Sequence, residues 1–251
     1  MYNDFARYYD ILMEDADYDG RTEYIISLFD KFNVRPELLL DLACGTGEFS
    51  NRMAKKGVSV IGVDISEEML TVARQKSDEQ GNNILYVCQD ASKLDLCDKV
   101  DCAICCLDSL NHIIDYKKFC EAIRRVSMYL RDSGLFIFDL NTVYKHREVL
   151  GDNTFVMDEE GIYCVWQNFF NPEDNTVDIC LDFFEQSGEN YKRSSEDITE
   201  RAYTESEISR ALQKVGLEIL AVYGDMTYEK PKENCERAVY VTRKREQWEN
   251  L

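Results

Sequence analysis

The chain has 251 residues, a formal net charge of -19, and 45% hydrophobic and 12% aromatic residues. That is apolar content for one large α/β domain or two small ones, and too much for a disordered chain. So acidic a surface repels phosphate backbones and anionic lipid, so neither nucleic acid nor membrane is expected as a partner, and apolar runs such as residues 103–107 are too short to span a bilayer.

Taken in order, Tyr24, Ile25, Leu28, Phe29 and Phe32 recur at helical spacing and predict a helix over 22–32. A strand follows at 38–41, then the small-residue loop Ala43-Cys44-Gly45-Thr46-Gly47. A helix over 48–56 stops at Gly57. Residues 58–64 read as a β-branched buried strand, and Ser66 caps a helix to about 75 with Glu67 and Glu68 in its first turn. Strands are predicted at 84–88, 100–106 and 135–140, with a helix at 117–130 between the last two. Strands alternating with helices, each a near-continuous apolar run, imply a doubly wound, mostly parallel sheet covered on both faces.

After Asn141 the pattern changes. Residues 162–170, 176–184 and 191–203 read as antiparallel strands, separated by turns at Asn171-Pro172-Glu173-Asp174 and Ser187-Gly188-Glu189-Asn190. Thr204-x-x-Glu207 then opens a helix to 215, ended by Gly216, and strands at 217–222 and 238–242 close the chain. The expected organisation is an α/β core of residues 1–142 and 204–251, with 143–203 inserted as an antiparallel β meander.

Six of the ten cysteines, Cys88, Cys102, Cys105, Cys106, Cys164 and Cys180, lie in strand-like runs. They read as reduced, buried thiols of a cytoplasmic protein. The acids Asp4, Asp10, Glu14, Asp15 and Asp17 argue against a secretory signal. Cys102-x-x-Cys105-Cys106 has no second pair at zinc-knuckle spacing, so no metal is expected.

Ligands of open α/β sheets bind beyond the strands' C-terminal ends. Polar residues stand just after the apolar runs there: Asp41, Asp64, Asp90, Asp108 and Asn141. Gly45-x-Gly47-x-x-Ser50 half-matches a dinucleotide fingerprint, with Asp64 where a ribose-binding acid belongs. A nicotinamide oxidoreductase is therefore one reading. Asp41 and Glu48 flank that loop, however, and would sit badly beside a pyrophosphate. A cationic ligand suits them better.

The motif D-x-A-C-G-T-G from Asp41, with V-D-I-S ending at Ser66 and Q-D-A ending at Ala91, resembles the class I S-adenosylmethionine-dependent methyltransferases. The resemblance covers residues 38–141 and 204–242, with Ala43 in place of the usual first glycine. It implies a seven-stranded Rossmann-like methyltransferase sheet and S-adenosylmethionine as cofactor. The segment with Tyr2, Phe5, Ala6, Tyr9 and Asp10, together with Glu200-Arg201-Ala202-Tyr203, looks like a bacterial subgroup related to glycine/sarcosine-type N-methyltransferases.

By that resemblance, Asp41 holds the cofactor's ammonium through water, over the backbone of Ala43, Cys44, Gly45 and Gly47. Asp64 accepts the ribose hydroxyls, as a carboxylate can. Ile65 and Met69 pack on adenine, Asp90 and the Ala91 backbone read it, and Cys106 and Leu107 line the methionine arm. The meander and the N-terminal arm are expected to form a lid, with Tyr9, Trp166, Arg193, Arg201 and Tyr203 facing a small-molecule substrate. The two arginines could grip a carboxylate or serve as surface ion pairs. The only histidines, His112 and His146, read as structural, with His112 the one candidate base. An N-acceptor is preferred by analogy. A non-catalytic cofactor-binding regulator is the alternative, and the oligomeric state stays open.

Overall fold

The computed structural model describes residues 8–10, 13–159 and 161–246. Tyr2, Phe5 and Ala6 of the N-terminal motif lie outside them. Among the described residues, eleven strands form two sheets. The larger contains β1 (Leu38–Leu42), β2 (Ser59–Asp64), β3 (Leu85–Cys88), β4 (Val100–Cys105), β5 (Leu130–Asn141), β10 (Leu217–Gly224) and β11 (Arg237–Lys244). Its order is β10-β11-β5-β4-β1-β2-β3. The pairs β1–β2, β2–β3, β1–β4 and β4–β5 are parallel, and β11 runs antiparallel to both neighbours. The chain winds outward from β1 through β2 to β3, then returns to β4 on the other side of β1. That reversal opens a crevice at the C-terminal ends of β1 and β4.

Both sheet faces are packed, and side-chain alternation divides the residues between them. Leu40, Leu42, Ala103, Cys105, Phe136 and Phe138 face one apolar cluster, which includes Phe119, Tyr203, Leu212 and Tyr240. Leu39, Cys102, Ile104, Leu135 and Ile137 face the other, with Leu28, Phe29 and Met53. Five helices supply the covers: α1 (Tyr18–Lys31), α2 (Glu48–Lys55), α3 (Glu67–Gln80), α4 (Tyr116–Tyr129) and α5 (Glu205–Lys214). Thr204 and Glu207 form the expected capping box at α5. Among the described residues no helix is long and apolar enough to cross a membrane.

The smaller sheet is antiparallel, in the order β6 (Thr154–Glu159), β7 (Ile162–Asn171), β8 (Thr176–Ser187), β9 (Asn190–Arg201). The sequence reading anticipated three of these strands. Most of β6 is exposed, so it carries no apolar face to read. The start of β5 was hidden in the same way, because residues 131–133 are exposed. Helix α3 runs five residues beyond the predicted end. Ser77 there turns inward, donating to the Ala73 carbonyl and pairing with the Tyr86 hydroxyl.

A helical turn at residues 8–10 ties the two sheets together. Tyr8 stacks on Phe183 of β8 at 5.1 Å and donates to Glu185. Two residues on, Asp10 accepts from the Thr46 hydroxyl at 2.7 Å and from Lys76 at 2.5 Å.

Phe119 is fully buried and stacks 4.0 Å from Tyr203. Phe119→Ala should destabilise the protein by about 3–5 kcal/mol. Phe169→Ala, at a side chain 53% exposed, should change stability by no more than about 0.5 kcal/mol. Urea unfolding of both variants checks the contrast.

Candidate active site

The loop after β1 is built on left-handed backbone: φ is 56° at Ala43, 53° at Gly45 and 78° at Gly47. Gly47 admits no side chain, since a Cβ there would meet the Tyr86 hydroxyl at 2.5 Å and the Ala73 methyl at 3.0 Å. Ala43 carries the unfavourable φ where glycine would relax it. Asp64 holds the loop to β2. One oxygen accepts the Gly45 N–H at 2.8 Å, and the other accepts the Ser66 N–H at 2.9 Å.

Two contiguous hollows occupy the crevice. The larger, about 290 Å³, is lined by Asp64, Ile65, Met69, Asp90 and Ala91, with Ala43, Gly45, Tyr9, Ser109 and His112. The smaller is a cleft of about 20 Å³ lined by Asp41, Cys44, Cys106 and Leu107. Tyr9, Ala43, Gly45 and Ser109 border both. Eleven of the twelve cofactor-binding residues expected from the sequence therefore line one crevice; Gly47 starts the helix beneath it. Among the described residues lining it, none is Lys or Arg. The nearby cations are paired with the chain's own carboxylates: Lys76 with Asp10 and Glu48, Arg52 with Asp19 and Glu48, Glu48 being at the edge of the smaller cleft.

Asp41 is 2% exposed, and its Oδ2 accepts the Ser50 hydroxyl at 2.6 Å. Burial pushes its carboxyl up to about 7, with Asp64 adding to the rise and Ser50 opposing it. Burial also raises Asp64, against backbone hydrogen bonds from Ser66, Gly45 and Ile65. At Asp90 the desolvation is outweighed by hydrogen bonds from the hydroxyl and N–H of Ser92, and the carboxyl is lowered. A cation entering beside Asp41 and Asp64 relieves the repulsion between them.

Across the crevice, Leu107 and Asp108 are also left-handed, with φ of 54° and 52°. Asp139 on β5 accepts both their N–H groups, at 2.8 and 2.7 Å. Arg237 of β11 pairs with Asp108 and Asp139 together. Donor atoms of Asp108, His112 and Glu200 lie within 4.8 Å of one another, the one such group among the described residues. Arg237 and Asn141 each already bind one oxygen of Asp108.

Of the substrate residues expected from sequence, Tyr9 reaches the crevice. The other four line neither hollow. Trp166 donates to Asn168 and packs edge-on to Phe155. Arg193 forks onto Asp182, and Arg201 binds Glu207, so both guanidiniums are held by the chain's own carboxylates. Tyr203 is buried in the core beside Phe119. The sequence reading missed Glu200, Ser109, Asp139 and Arg237. Two signals pointed toward that region: Asp108 stands directly after β4, and the chain has only two histidines.

Residues 39–134 match the methyltransferase domain family. The chain is 35% identical over 246 residues to YqeM of Bacillus subtilis (strain 168), named as a methyltransferase, covering 97% of each. It is 37% identical to an S-adenosylmethionine-dependent methyltransferase from Clostridium acetobutylicum ATCC 824, with a TM-score of 0.89, covering 97% of this chain and 99% of that one. CalS10, an amino pentose methyltransferase from Micromonospora echinaspora solved with S-adenosylmethionine bound, has the same fold at a TM-score of 0.72 and 18% identity, with 92% and 96% covered. The fold and crevice thus define a Rossmann-like methyltransferase. The chain belongs to the S-adenosylmethionine-dependent methyltransferase family; it is an enzyme, and S-adenosylmethionine is its cofactor.

An exposed aspartate titrates near 3.9. The stability that Asp41 contributes is therefore whole below about pH 4 and is lost as pH rises toward its folded value of about 7. Asp41→Asn removes that loss. The ligand-free variant should be more stable than wild type at pH 8, by up to about 4 kcal/mol, with the gap narrowing to about 1.5 kcal/mol at pH 5. Urea unfolding at the two pH values checks it; a less stable variant at pH 8 contradicts the assignment.

Proposed function

We propose that the protein methylates a small molecule, and that the acceptor atom is nitrogen. The observation that carries this reading is the ring of carboxylates, Asp41, Asp64 and Asp90, around one crevice whose lining lacks Lys and Arg. When bound, the cofactor supplies a methyl group on a sulfonium, a displacement with a good leaving group. The donor set fits it. Asp41, in the narrow cleft, faces the cofactor's ammonium, and the exposed backbone at Ala43, Cys44 and Gly45 lets the chain approach closely. Asp64 takes the ribose diol, as a carboxylate lining the larger hollow can. Ile65 and Met69 cover adenine, Asp90 and Ala91 read its edge, and Cys106 with Leu107 flank the methionine arm.

The chain's task is then alignment and exclusion of water. Positioning of this kind can account for roughly 7–11 kcal/mol of barrier. We read residues 143–203 as the substrate lid and the rest as the cofactor-binding core. Residues 8–10 join them, through Tyr8 to the meander and through Asp10 to the cofactor loop. Tyr9, between these two anchors, borders both hollows. Nitrogen is favoured by the acidic setting, which suits an amine, and by CalS10, which acts on an amino pentose. The ten free cysteines fit a reducing compartment, and we place the enzyme in the cytoplasm.

Calorimetry with S-adenosylmethionine, S-adenosylhomocysteine and NADH tests the reading. The first two should bind and NADH should not. Asp64→Ala should weaken S-adenosylhomocysteine binding at least about tenfold while the protein still folds. Undiminished affinity would remove the ribose assignment. Turnover against matched amines and alcohols tests the acceptor; methylation of alcohols alone would contradict it.

A further inference from the structure

Both of the chain's histidines meet one buried carboxylate. Glu200, near the end of β9, is 5% exposed. Its Oε1 lies 3.7 Å from His112 Nε2, and its Oε2 lies 3.3 Å from His146 Nε2. His146 is fully buried, and its Nδ1 faces the Asn175 carbonyl at 3.3 Å. A carbonyl only accepts, so Nδ1 carries a proton. The Nε2–Glu200 contact is then attractive only with a second proton between them, and Nε2 makes no hydrogen bond of good geometry. Asn141, also buried, donates to Asp108 at 2.7 Å and to Glu200 at 3.3 Å, leaving its Oδ1 without a partner.

His112 is the member of this cluster that reaches the crevice, where it lines the larger hollow with Asp64 and Asp90. Methyl transfer to an amine releases a proton, and few groups there can receive it. Burial pushes the Cys44 and Cys106 thiols and the Tyr9 and Tyr18 phenols well up, so none is an anion at neutral pH. Asp41, Asp64 and Asp90 already accept hydrogen bonds from the chain and are the residues assigned to the cofactor. An imidazole is suited to proton exchange in this range.

We infer that His112 is the catalytic proton acceptor for an amine substrate, and that Glu200 is the positioning residue that holds its imidazolium. The inference rests on the N-methyltransferase reading above. As the acceptor nitrogen forms its bond to the methyl carbon, the carbon–sulfur bond breaks and its electron pair stays on sulfur. The nitrogen's proton passes to His112. With Nε2 turned to Glu200, Nδ1 is the atom left to receive it. Glu200 from β9, Asp108 from the loop after β4 and Asp64 from the end of β2 all act on the ring; Arg237 of β11, Lys145 and His146 stand behind them. Three carboxylates thus face the charge that forms on His112. A buried carboxylate 3.7 Å from the ring stabilises the imidazolium by its charge.

With only two histidines, the imidazole NMR spectrum has two sets of signals, and His112→Asn assigns them. In protein saturated with S-adenosylhomocysteine, the His112 signals are followed against pH to their midpoint. Glu200→Gln should lower that midpoint by at least about one pH unit, and Glu200→Asp should restore part of it. Affinity for S-adenosylhomocysteine should stay within about threefold in both Glu200 variants, since Glu200 lines neither hollow. An unmoved midpoint in Glu200→Gln, or no His112 titration between about pH 5 and 9, overturns the inference. Broadening of both histidines by micromolar Mn²⁺ would assign the cluster to a divalent cation and overturn it as well. Wild-type protein that binds no S-adenosylhomocysteine would instead remove the reading beneath it.

Discussion

The arrangement depends on one buried carboxyl. Asp41 closes β1 at the point where the sheet reverses its winding, and Ser50 from α2 is its hydrogen-bond donor. Away from water, that group resists ionisation and sits at about 7. In the ligand-free protein a charge there is a cost; beside an ammonium it becomes an attraction. The site thus stores a preference for a cation in the fold itself. The acidic lining shared with Asp64 and Asp90 extends that preference along the crevice.

The same device positions both walls. On one side, left-handed residues at Ala43, Gly45 and Gly47 turn the chain sharply out of β1, and the Asp64 carboxylate gathers N–H groups from Gly45 and Ser66. On the other, Leu107 and Asp108 turn it out of β4, and Asp139 gathers both their N–H groups. In each case a strand-end carboxylate replaces the backbone partner that a regular strand would supply. The second wall leads directly to Asp108, Asn141 and Glu200, where the two histidines converge. The cofactor crevice and the histidine cluster therefore share one structural boundary, the loop after β4.

The parallel strands were legible because both their faces are buried, giving runs such as Leu38–Leu42 and Ser59–Asp64. Their terminal acids were legible for the same reason, since a charge directly after such a run marks the strand's end. Elements without an apolar face were not: β6, residues 131–133 of β5 and the last turn and a half of α3. Partners set by register were also hidden. Arg193 lies on β9 beside Asp182 of β8, a neighbour revealed only once those strands are aligned. Glu200 stood out only within the Glu200-Arg201-Ala202-Tyr203 motif; its meeting with residues 112 and 146 is made by tertiary structure alone.

The central claim is that binding requires Asp41 to give up its proton. At pH 6 a carboxyl that titrates at about 7 is roughly nine-tenths protonated. Titration calorimetry of S-adenosylmethionine at pH 6, in two buffers of different ionisation enthalpy, counts the protons exchanged on binding. The account predicts release of about 0.9 proton in wild type and close to none in Asp41→Asn wherever that variant's binding is measurable. Wild-type binding with no proton release would contradict it.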